Sequence, residues 1–294
     1  MSTPRIVPVL AALGGALLLA LTGCSSAQAT DPAAEGKPSV VAAFYPLQYV
    51  AESVGGDTVS VTSLTPSGVE PHDLELSAAQ VAEIAQADVV LYVKGFQPAV
   101  DEAIAQQAPD RAIDVSAGLP LLGADPHVWL DPANMATIGT TVGERLAEIE
   151  PDAATTVAAN SEKLSEAMTN LDSQFTTGLA TCRSRELVVS HEAFGYLAEA
   201  YGLTQIGISG LSPESEPSPS RMRDVADAVR ANGVTTIYYE TLVDPKVAQT
   251  VADETGAKVA VLDPLEGLVS GSTGDYVSVM EANLATLIAG QGCS

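Results

Sequence analysis

The sequence predicts an α/β protein with two lobes, each with a mainly parallel sheet flanked by helices, joined by one long rigid helix. Short β-branched runs alternate with stretches of helical periodicity, which is typical of βα units and a parallel sheet. One stretch in the middle of the chain keeps a single apolar helical face from residue 152 to residue 180. The 294 residues, with 46% hydrophobic content, are enough for two buried cores.

The N-terminal residues carry export signals. Arg5 precedes an apolar run over residues 6–21, which ends in Leu-Thr-Gly-Cys24. This is the layout of a secretory signal peptide over residues 1–23, and the run is shorter than the roughly 20 apolar residues of a spanning helix. Leu-Thr-Gly-Cys24 resembles the lipobox of bacterial lipoproteins, so we expect lipidation of Cys24; an ordinary signal peptide cut nearby is the alternative. The small and polar residues 24–38 predict a flexible tether.

Strands and helices alternate through the rest of the chain. Helical periodicity is clearest over residues 46–54, 78–85 and 220–231. The predicted strands are residues 40–44, 59–64, 89–93, 186–189, 204–208, 236–239 and 258–262.

The middle of the chain predicts two helices in succession. Asp131 suits an N-cap and Pro132 the first helical position of a helix that ends near residue 149. Apolar residues from Val157 to Leu179 then trace one helical face. A helix over residues 152–180 would be about 43 Å long, enough to join two lobes and to restrict their relative movement. The predicted divisions are an N-terminal lobe over 39–150, a linking helix over 151–181 and a C-terminal lobe over 182–294.

The charge balance excludes one class of partner. The chain has 37 acidic and 13 basic side chains, for a formal net charge of −24. Because phosphate recognition needs clustered lysine and arginine, we expect no nucleic-acid partner.

The cysteines are few. With Cys24 assigned to lipid, Cys182 and Cys293 remain as an even pair in an oxidising compartment, which favours one disulfide. Two free buried thiols are the alternative. Neither cysteine belongs to a Cys-x-x-Cys motif, so redox catalysis is poorly supported.

The three histidines lie at positions suited to a shared ligand. His72 lies in a loop after the strand 59–64, His127 just before a helix start, and His191 two residues after the strand 186–189. Asp263 directly follows the last predicted strand. Ligands of open α/β sheets bind beyond the carboxyl ends of the strands.

Three imidazoles and one carboxylate suit a tetrahedral divalent ion, and nitrogen-rich ligation favours zinc over manganese or magnesium. The four residues are far apart in sequence, so no local motif fixes their geometry. Hydrogen-bonded histidines without a metal remain the alternative.

Several ordered stretches also carry a family resemblance. In order they are VVAAFYPLQYVAESVGGDTVSVTSLTPSGVEPHDLELS, ADVVLYVKG, DPHVWLDPANM, VVSHEAFGYLAEAYGL, SPESEPSPS, IYYETLVDPKVAQTVADETGAKV and VLDPLEGL. From about residue 40 to its C-terminus, the chain resembles the metal-binding subunits of bacterial zinc and manganese ABC importers, the cluster A-I solute-binding proteins.

The resemblance implies a metal site between the lobes. His72 and His127 of the first lobe and His191 and Asp263 of the second would be the ligands. Zinc-type relatives carry histidine at the third position, where manganese-type relatives carry a carboxylate. His191 therefore favours Zn²⁺ as the transported ligand, with Mn²⁺ as the alternative. Residues 112–124 depart from the pattern, because many zinc-type relatives have a long histidine-rich loop there.

The implied function is capture of a divalent metal ion outside the cytoplasm and delivery to the permease of an ABC importer. The protein would be a monomer, lipid-anchored to the cell membrane, and not an enzyme. A secreted zinc hydrolase is the rival, with three histidine ligands, an open water position and Glu192 or Glu240 as general base. Asp263 as a fourth ligand would argue against it. An anchored adhesin or organic-ligand-binding protein is a third alternative. In the solute-binding protein, Glu240 at the end of a predicted strand could hydrogen-bond to a metal ligand, and a role in capping a helix is at least as compatible with its position.

Overall fold

Two four-stranded parallel sheets organise residues 36–294, the part of the chain that the computed structural model describes. The predicted signal peptide, Cys24 and most of the predicted tether lie outside the described residues. The first sheet contains β1 (Ser39–Ala42), β2 (Ser60–Ser63), β3 (Val89–Tyr92) and β4 (Ala112–Asp114). The second contains β5 (Glu186–Val189), β6 (Thr204–Gly207), β7 (Thr236–Tyr239) and β8 (Lys258–Val261).

The two sheets share one topology. Their strand orders are β2-β1-β3-β4 and β6-β5-β7-β8, and every neighbouring pair is parallel. In each sheet the second strand in the chain lies on one side of the first strand, and the third and fourth strands lie on the other side. Such a reversal opens a crevice at the carboxyl ends of the strands, where ligands bind in α/β folds.

Helices cover the sheets and connect the strands. Their bounds are α1 (Tyr45–Gly55), α2 (Ala78–Gln86), α3 (Pro98–Gln107), α4 (Pro132–Ile149), α5 (Ala154–Gly178), α6 (Gly195–Tyr201), α7 (Pro219–Asn232), α8 (Lys246–Thr255) and α9 (Tyr276–Gln291). None of the helices in this part of the chain has the length and apolar character needed to cross a bilayer.

The fold class predicted from the sequence is confirmed. All seven predicted strands form, with ends within two residues of the predicted ones. The strand β4 was not predicted, and residues 112–124 are therefore not all loop. Its three residues are all half-buried, so they show no alternation of buried and exposed side chains.

The predicted linking helix is α5, which has 25 residues. It packs against α1 and α4 of the first lobe and against α9 of the second. One face is buried, with Val157, Leu164, Met168, Leu171 and Phe175. The helix therefore packs into the cores of both lobes and joins them. Residues 36–294 form one compact unit, so the division points at 150 and 181 remain predictions.

A disulfide joins Cys182, just beyond α5, to Cys293, just beyond α9. The two cysteines are 111 residues apart in sequence. The bond ties the C-terminal end of the chain to the end of the linking helix.

Candidate metal centre

Three histidines and one glutamate meet between the lobes. The Nε2 atoms of His72, His127 and His191 lie 3.3, 3.1 and 3.2 Å from Oε1 of Glu266. One nitrogen or oxygen atom from each of the four side chains lies within 4.8 Å of those of the others. The three predicted histidines are thus brought together, with a carboxylate that was not predicted from the sequence.

The topology explains this convergence. His72 lies in the loop that follows β2, and His127 precedes the short 3-10 helix Val128–Leu130 that leads into α4. His191 comes two residues after β5, and Glu266 lies in the loop that follows β8. Since each lobe directs the carboxyl ends of its strands toward the crevice, two residues of the cluster come from each lobe.

Carboxylates orient two of the imidazoles. Nδ1 of His127 lies 2.7 Å from Oδ1 of Asp125, and Nδ1 of His191 lies 2.9 Å from Oε1 of Glu240. The Ser190 hydroxyl donates to the same Glu240 oxygen over 2.8 Å. A neutral imidazole that donates its Nδ1 proton to a carboxylate directs the Nε2 lone pair the other way, as in metal sites. Both rings therefore present a metal-ligating nitrogen to Glu266.

The donor set fits a tetrahedral divalent ion. Three imidazole lone pairs directed at a carboxylate oxygen repel it unless protons or a cation lie between them. In a tetrahedral zinc site with bonds of 2.0–2.1 Å, neighbouring ligand atoms are about 3.3 Å apart. The distances of 3.1–3.3 Å from Oε1 of Glu266 to the imidazole nitrogens agree with this spacing.

The local electrostatics also favour positive charge. Burial raises the pKa of Glu266, but hydrogen bonds from the histidines outweigh burial and hold that pKa well below its usual value. Burial lowers the pKa of His127, but the carboxylates of Asp125 and Glu266 raise it above its usual value. Burial likewise opposes protonation of His191, yet Glu240 and Glu266 raise its pKa to about 10. The cluster thus stabilises a cation, whether protons or a metal ion.

The site is enclosed on one side by aromatic rings. The rings of His72 and Phe96 have centroids 4.6 Å apart, and those of His127 and Trp129 are 5.2 Å apart. His127, His191 and Glu266 are buried, whereas the side chain of His72 is 9% exposed. Low dielectric strengthens the charge interactions inside, and His72 forms the solvent-facing side of the cluster.

Asp263, the predicted fourth ligand, is not part of the cluster. Its Oδ1 accepts a hydrogen bond from the Leu265 N–H over 2.8 Å, and its Oδ2 accepts one from the Thr241 hydroxyl over 2.9 Å. Leu265 has a left-handed φ of 56° and directs the next residue, Glu266, into the crevice. Asp263 therefore stabilises the turn, and Glu266 takes the position that the prediction gave to Asp263.

The turn is also fastened to the first lobe. The Trp129 indole N–H donates to the carbonyl of Pro264 over 2.8 Å, and the Tyr276 hydroxyl donates to the carbonyl of Trp129 over 2.6 Å. Both bonds are buried and join residues of different lobes. They hold the backbone beside Glu266 in one position.

The remaining predicted site residues lie elsewhere. Cys24 is outside the described residues, and Cys182 and Cys293 form the disulfide rather than ligating. Glu192 is half-exposed, and its carboxylate lies 3.6 Å from the guanidinium of Arg221.

Comparison with known families gives one match over most of the chain. The family described as ZnuA, zinc-uptake complex component A, periplasmic, matches residues 40–290.

Curated relatives show the same likeness. The chain is 33% identical over 294 residues to "Zinc-binding protein AdcA" of Streptococcus pyogenes serotype M6 (strain ATCC BAA-946 / MGAS10394), covering 88% of this chain and 57% of that protein. It is 31% identical over 297 residues to "High-affinity zinc uptake system protein ZnuA" of Bacillus subtilis (strain 168), covering 92% of this chain and 93% of that protein. The chain thus spans little more than half of AdcA but almost all of the Bacillus protein.

Solved structures agree with the fold. The zinc-bound ZnuA-like domain of Streptococcus pneumoniae AdcA is 34% identical with a TM-score of 0.77, covering 87% of this chain and 99% of that one. The laminin-binding protein Lmb of Streptococcus agalactiae, described as bifunctional with adhesin and metal-transporting activity, is 32% identical with a TM-score of 0.80. That match covers 86% of this chain and 99% of the other.

Proposed function

The chain belongs to the ZnuA family of zinc-uptake complex components, and from that membership we propose that it captures zinc outside the cytoplasm for an ABC importer. It binds one zinc ion between its two lobes and delivers the ion to the membrane permease. The observation that carries the proposal is the convergence of His72, His127, His191 and Glu266. The names of the relatives, zinc-binding protein and zinc uptake system protein, support the same function.

Zinc is the proposed cargo because of the donor set. Imidazole nitrogen suits zinc, whereas manganese and magnesium favour oxygen ligands. Three of the four donors in the cluster are imidazole nitrogens. Manganese is the alternative cargo and should bind more weakly.

The same geometry argues against a zinc hydrolase. A catalytic zinc keeps three protein ligands and one open position for water. Glu266 supplies a fourth protein donor and closes the shell. Of the two candidate general bases, Glu240 accepts from His191, and Glu192 lies beside Arg221.

We propose that the protein is a monomer held at the cell membrane by lipid on Cys24. The Leu-Thr-Gly-Cys24 sequence supports the lipid anchor, as does the name of a Streptococcus pneumoniae (strain ATCC BAA-255 / R6) relative, "Zinc-binding lipoprotein AdcA". That relative is 33% identical over 295 residues, covering 92% of this chain and 58% of that protein. Cys24→Ser should move the protein from the membrane fraction to the soluble fraction. A variant that stays with the membrane would reject lipidation at this residue.

Metal content and competitive titration test the proposed function. Residues 25–294, stripped with a chelator and reloaded with zinc, should retain about one zinc per chain after buffer exchange. Titration against a chromogenic chelator should give a lower Kd for zinc than for manganese. Absence of bound zinc after loading would reject the proposed function. Tighter binding of manganese than of zinc would make manganese the cargo.

A further inference from the structure

A tyrosine of the second lobe contacts the backbone beside a histidine of the first lobe. Tyr196 belongs to α6, and its side chain is buried. The Leu122 N–H donates to the Tyr196 hydroxyl over 3.0 Å, and the same hydroxyl donates to the carbonyl of Asp125 over 3.2 Å. Leu122 and Asp125 come shortly before His127 in the first lobe. One side chain of the second lobe therefore bonds to two points of a short first-lobe segment.

Leu122 and Asp125 are the two ends of a turn. The Asp125 N–H donates to the carbonyl of Leu122 over 3.1 Å, as in a β-turn. The Tyr196 hydroxyl bonds to the two backbone groups that this turn leaves free at its ends. Among the described residues 36–294, the hydrogen bonds that join residues 120–126 to a residue before 120 or after 128 all go to Tyr196. The second lobe therefore holds the turn 122–125 in place.

Asp125 connects the turn 122–125 to the ligand cluster. Its Oδ1 accepts a hydrogen bond from the His127 N–H over 3.0 Å and lies 2.7 Å from Nδ1 of the same residue. One carboxylate oxygen thus contacts both the backbone and the ring of His127. A hydrogen-bond partner of this kind sets the orientation of a metal-ligating imidazole. The direction of Nε2 of His127 therefore depends on the position of Asp125.

Gly195 lies against the other oxygen of this carboxylate. A Cβ atom added at Gly195 would be 2.2 Å from Oδ2 of Asp125, which is too close for two atoms that are not bonded. Gly195 is the first residue of α6 and directly precedes Tyr196. The carboxylate of Asp125 is therefore enclosed between the ring of His127 and the backbone of α6. A side chain at residue 195 would displace the carboxylate.

On the basis of the proposed function, we propose that Tyr196 and Gly195 are positioning residues of the metal site, which act on His127 through Asp125. Neither residue donates to the metal. A ligand of the first lobe thus takes its direction from a helix of the second lobe. Zinc affinity then depends on the contact between α6 and the turn 122–125, in addition to the four residues of the cluster.

Tyr196→Phe tests the role of the hydroxyl, because it removes two hydrogen bonds and keeps the ring. In competitive titration it should weaken zinc binding by about 3- to 10-fold, since the turn 122–125 is less well held while all four donors remain. Tyr201→Phe is the matched control. Tyr201 is a buried residue of the same helix, and its hydroxyl donates to Oδ1 of Asp172 on α5 over 3.0 Å. The affinity of this control should stay within about two-fold of wild type, because neither Tyr201 nor Asp172 contacts the cluster.

A double-mutant cycle tests whether Tyr196 acts through Asp125. Asp125→Ala should itself weaken zinc binding by about 10- to 100-fold, because it removes the hydrogen-bond partner of a metal-ligating histidine. In the Asp125→Ala background, Tyr196→Phe should change the affinity by less than about two-fold, because the carboxylate that transmits its effect is absent. An equal effect of Tyr196→Phe with and without the carboxylate would overturn the route through Asp125.

The visible absorption of bound cobalt distinguishes positioning from a general loss of stability, because it reports the geometry of the ligands. The cobalt bands should shift in Tyr196→Phe and remain at the wild-type positions in Tyr201→Phe.

Gly195→Ala is a second variant that displaces the carboxylate directly. It should weaken zinc binding by at least about 10-fold and also shift the cobalt bands. Wild-type affinity or a wild-type cobalt spectrum in both Tyr196→Phe and Gly195→Ala would overturn the positioning role while leaving zinc binding by the wild-type protein intact. A wild-type protein that binds no zinc would instead overturn the proposed function, and the positioning role with it.

Discussion

Glu266 is the residue on which the candidate site depends most. Its Oε1 faces three imidazole nitrogens, and its side chain is buried. An isolated buried carboxylate is costly, and here the charge is compensated by protons on the histidines or by a bound cation. The same residue therefore favours positive charge and, in the proposed zinc site, would be the fourth ligand of the tetrahedron.

Replacement of this carboxylate tests the ligand assignment. Glu266→Gln should weaken zinc binding by at least about 100-fold, because a charged ligand becomes a neutral amide. Asp263→Asn should weaken zinc binding by less than about 10-fold, since it changes only the turn. Competitive titration of both variants measures the difference, and circular dichroism checks their folds. A larger loss in Asp263→Asn than in Glu266→Gln would restore Asp263 as the ligand.

Zinc affinity should also depend on pH. The pKa of His191 is raised to about 10 and that of His127 is raised above its usual value, so the metal-free protein holds protons that zinc must displace. Lowering the pH favours the protonated form, and affinity should fall at least about 100-fold between pH 7 and pH 5. Titration at both pH values, with circular dichroism to confirm that the fold persists, measures the change. Equal affinity at the two pH values would contradict imidazole ligation.

At the residue scale, the sequence identified all three histidines but not the carboxylate. Strand-end position selected Asp263, yet an aspartate before proline often accepts a hydrogen bond from the backbone two residues on, as Asp263 does from Leu265. That pattern was available in the sequence. The left-handed conformation of Leu265 could not be predicted from the sequence, because leucine rarely adopts it. This conformation brings Glu266 into the crevice.

At the scale of single elements, the longer helices and strands were predictable, whereas the shortest strand was not. The N-cap at Asp131 was predicted, and its Oδ1 accepts from the Ala133 N–H over 2.8 Å. The long apolar face of α5 was also visible in the sequence, because it repeats over many turns. The strand β4 has only three residues, which is too short for periodicity to identify.

The helix α9 of the second lobe tests whether side-chain packing outweighs helix propensity. Gly290 lies near the end of α9, and a Cβ atom there would overlap the buried ring of Tyr238. Gly290→Ala should therefore lower the free energy of unfolding by about 1–3 kcal/mol, although alanine is the better helix former. Ala289 is the exposed neighbour of Gly290. Ala289→Gly should lower the free energy of unfolding by about 1 kcal/mol through helix propensity alone. Urea denaturation measures both, and a stabilised Gly290→Ala variant would show that the ring can move aside.

At the scale of the whole molecule, two sheets of the same strand order face one crevice and contribute two residues of the cluster each. Alternation of strands and helices was enough to predict this architecture. The contacts between the lobes, such as the bond from Trp129 to Pro264, were not predictable, because they join residues 135 positions apart.

The disulfide is a restraint on the whole chain. Cys182→Ser/Cys293→Ser should lower the free energy of unfolding by roughly 4–5 kcal/mol, because the bond closes a loop of more than 100 residues in the unfolded chain. Zinc affinity of the folded variant should stay close to that of wild type, since neither cysteine belongs to the cluster. Urea denaturation of the metal-free proteins measures the loss. Equal stability with and without the bond would show that it does not restrain the unfolded chain.

X-ray absorption spectroscopy at the zinc edge tests the central claim most directly, because it reports the number and type of ligands around the bound ion. The zinc-loaded protein should show four nitrogen or oxygen ligands at about 2.0–2.1 Å, with scattering from three imidazoles and none from sulfur. A sulfur ligand, a six-coordinate shell or fewer than three imidazoles would contradict capture by His72, His127, His191 and Glu266.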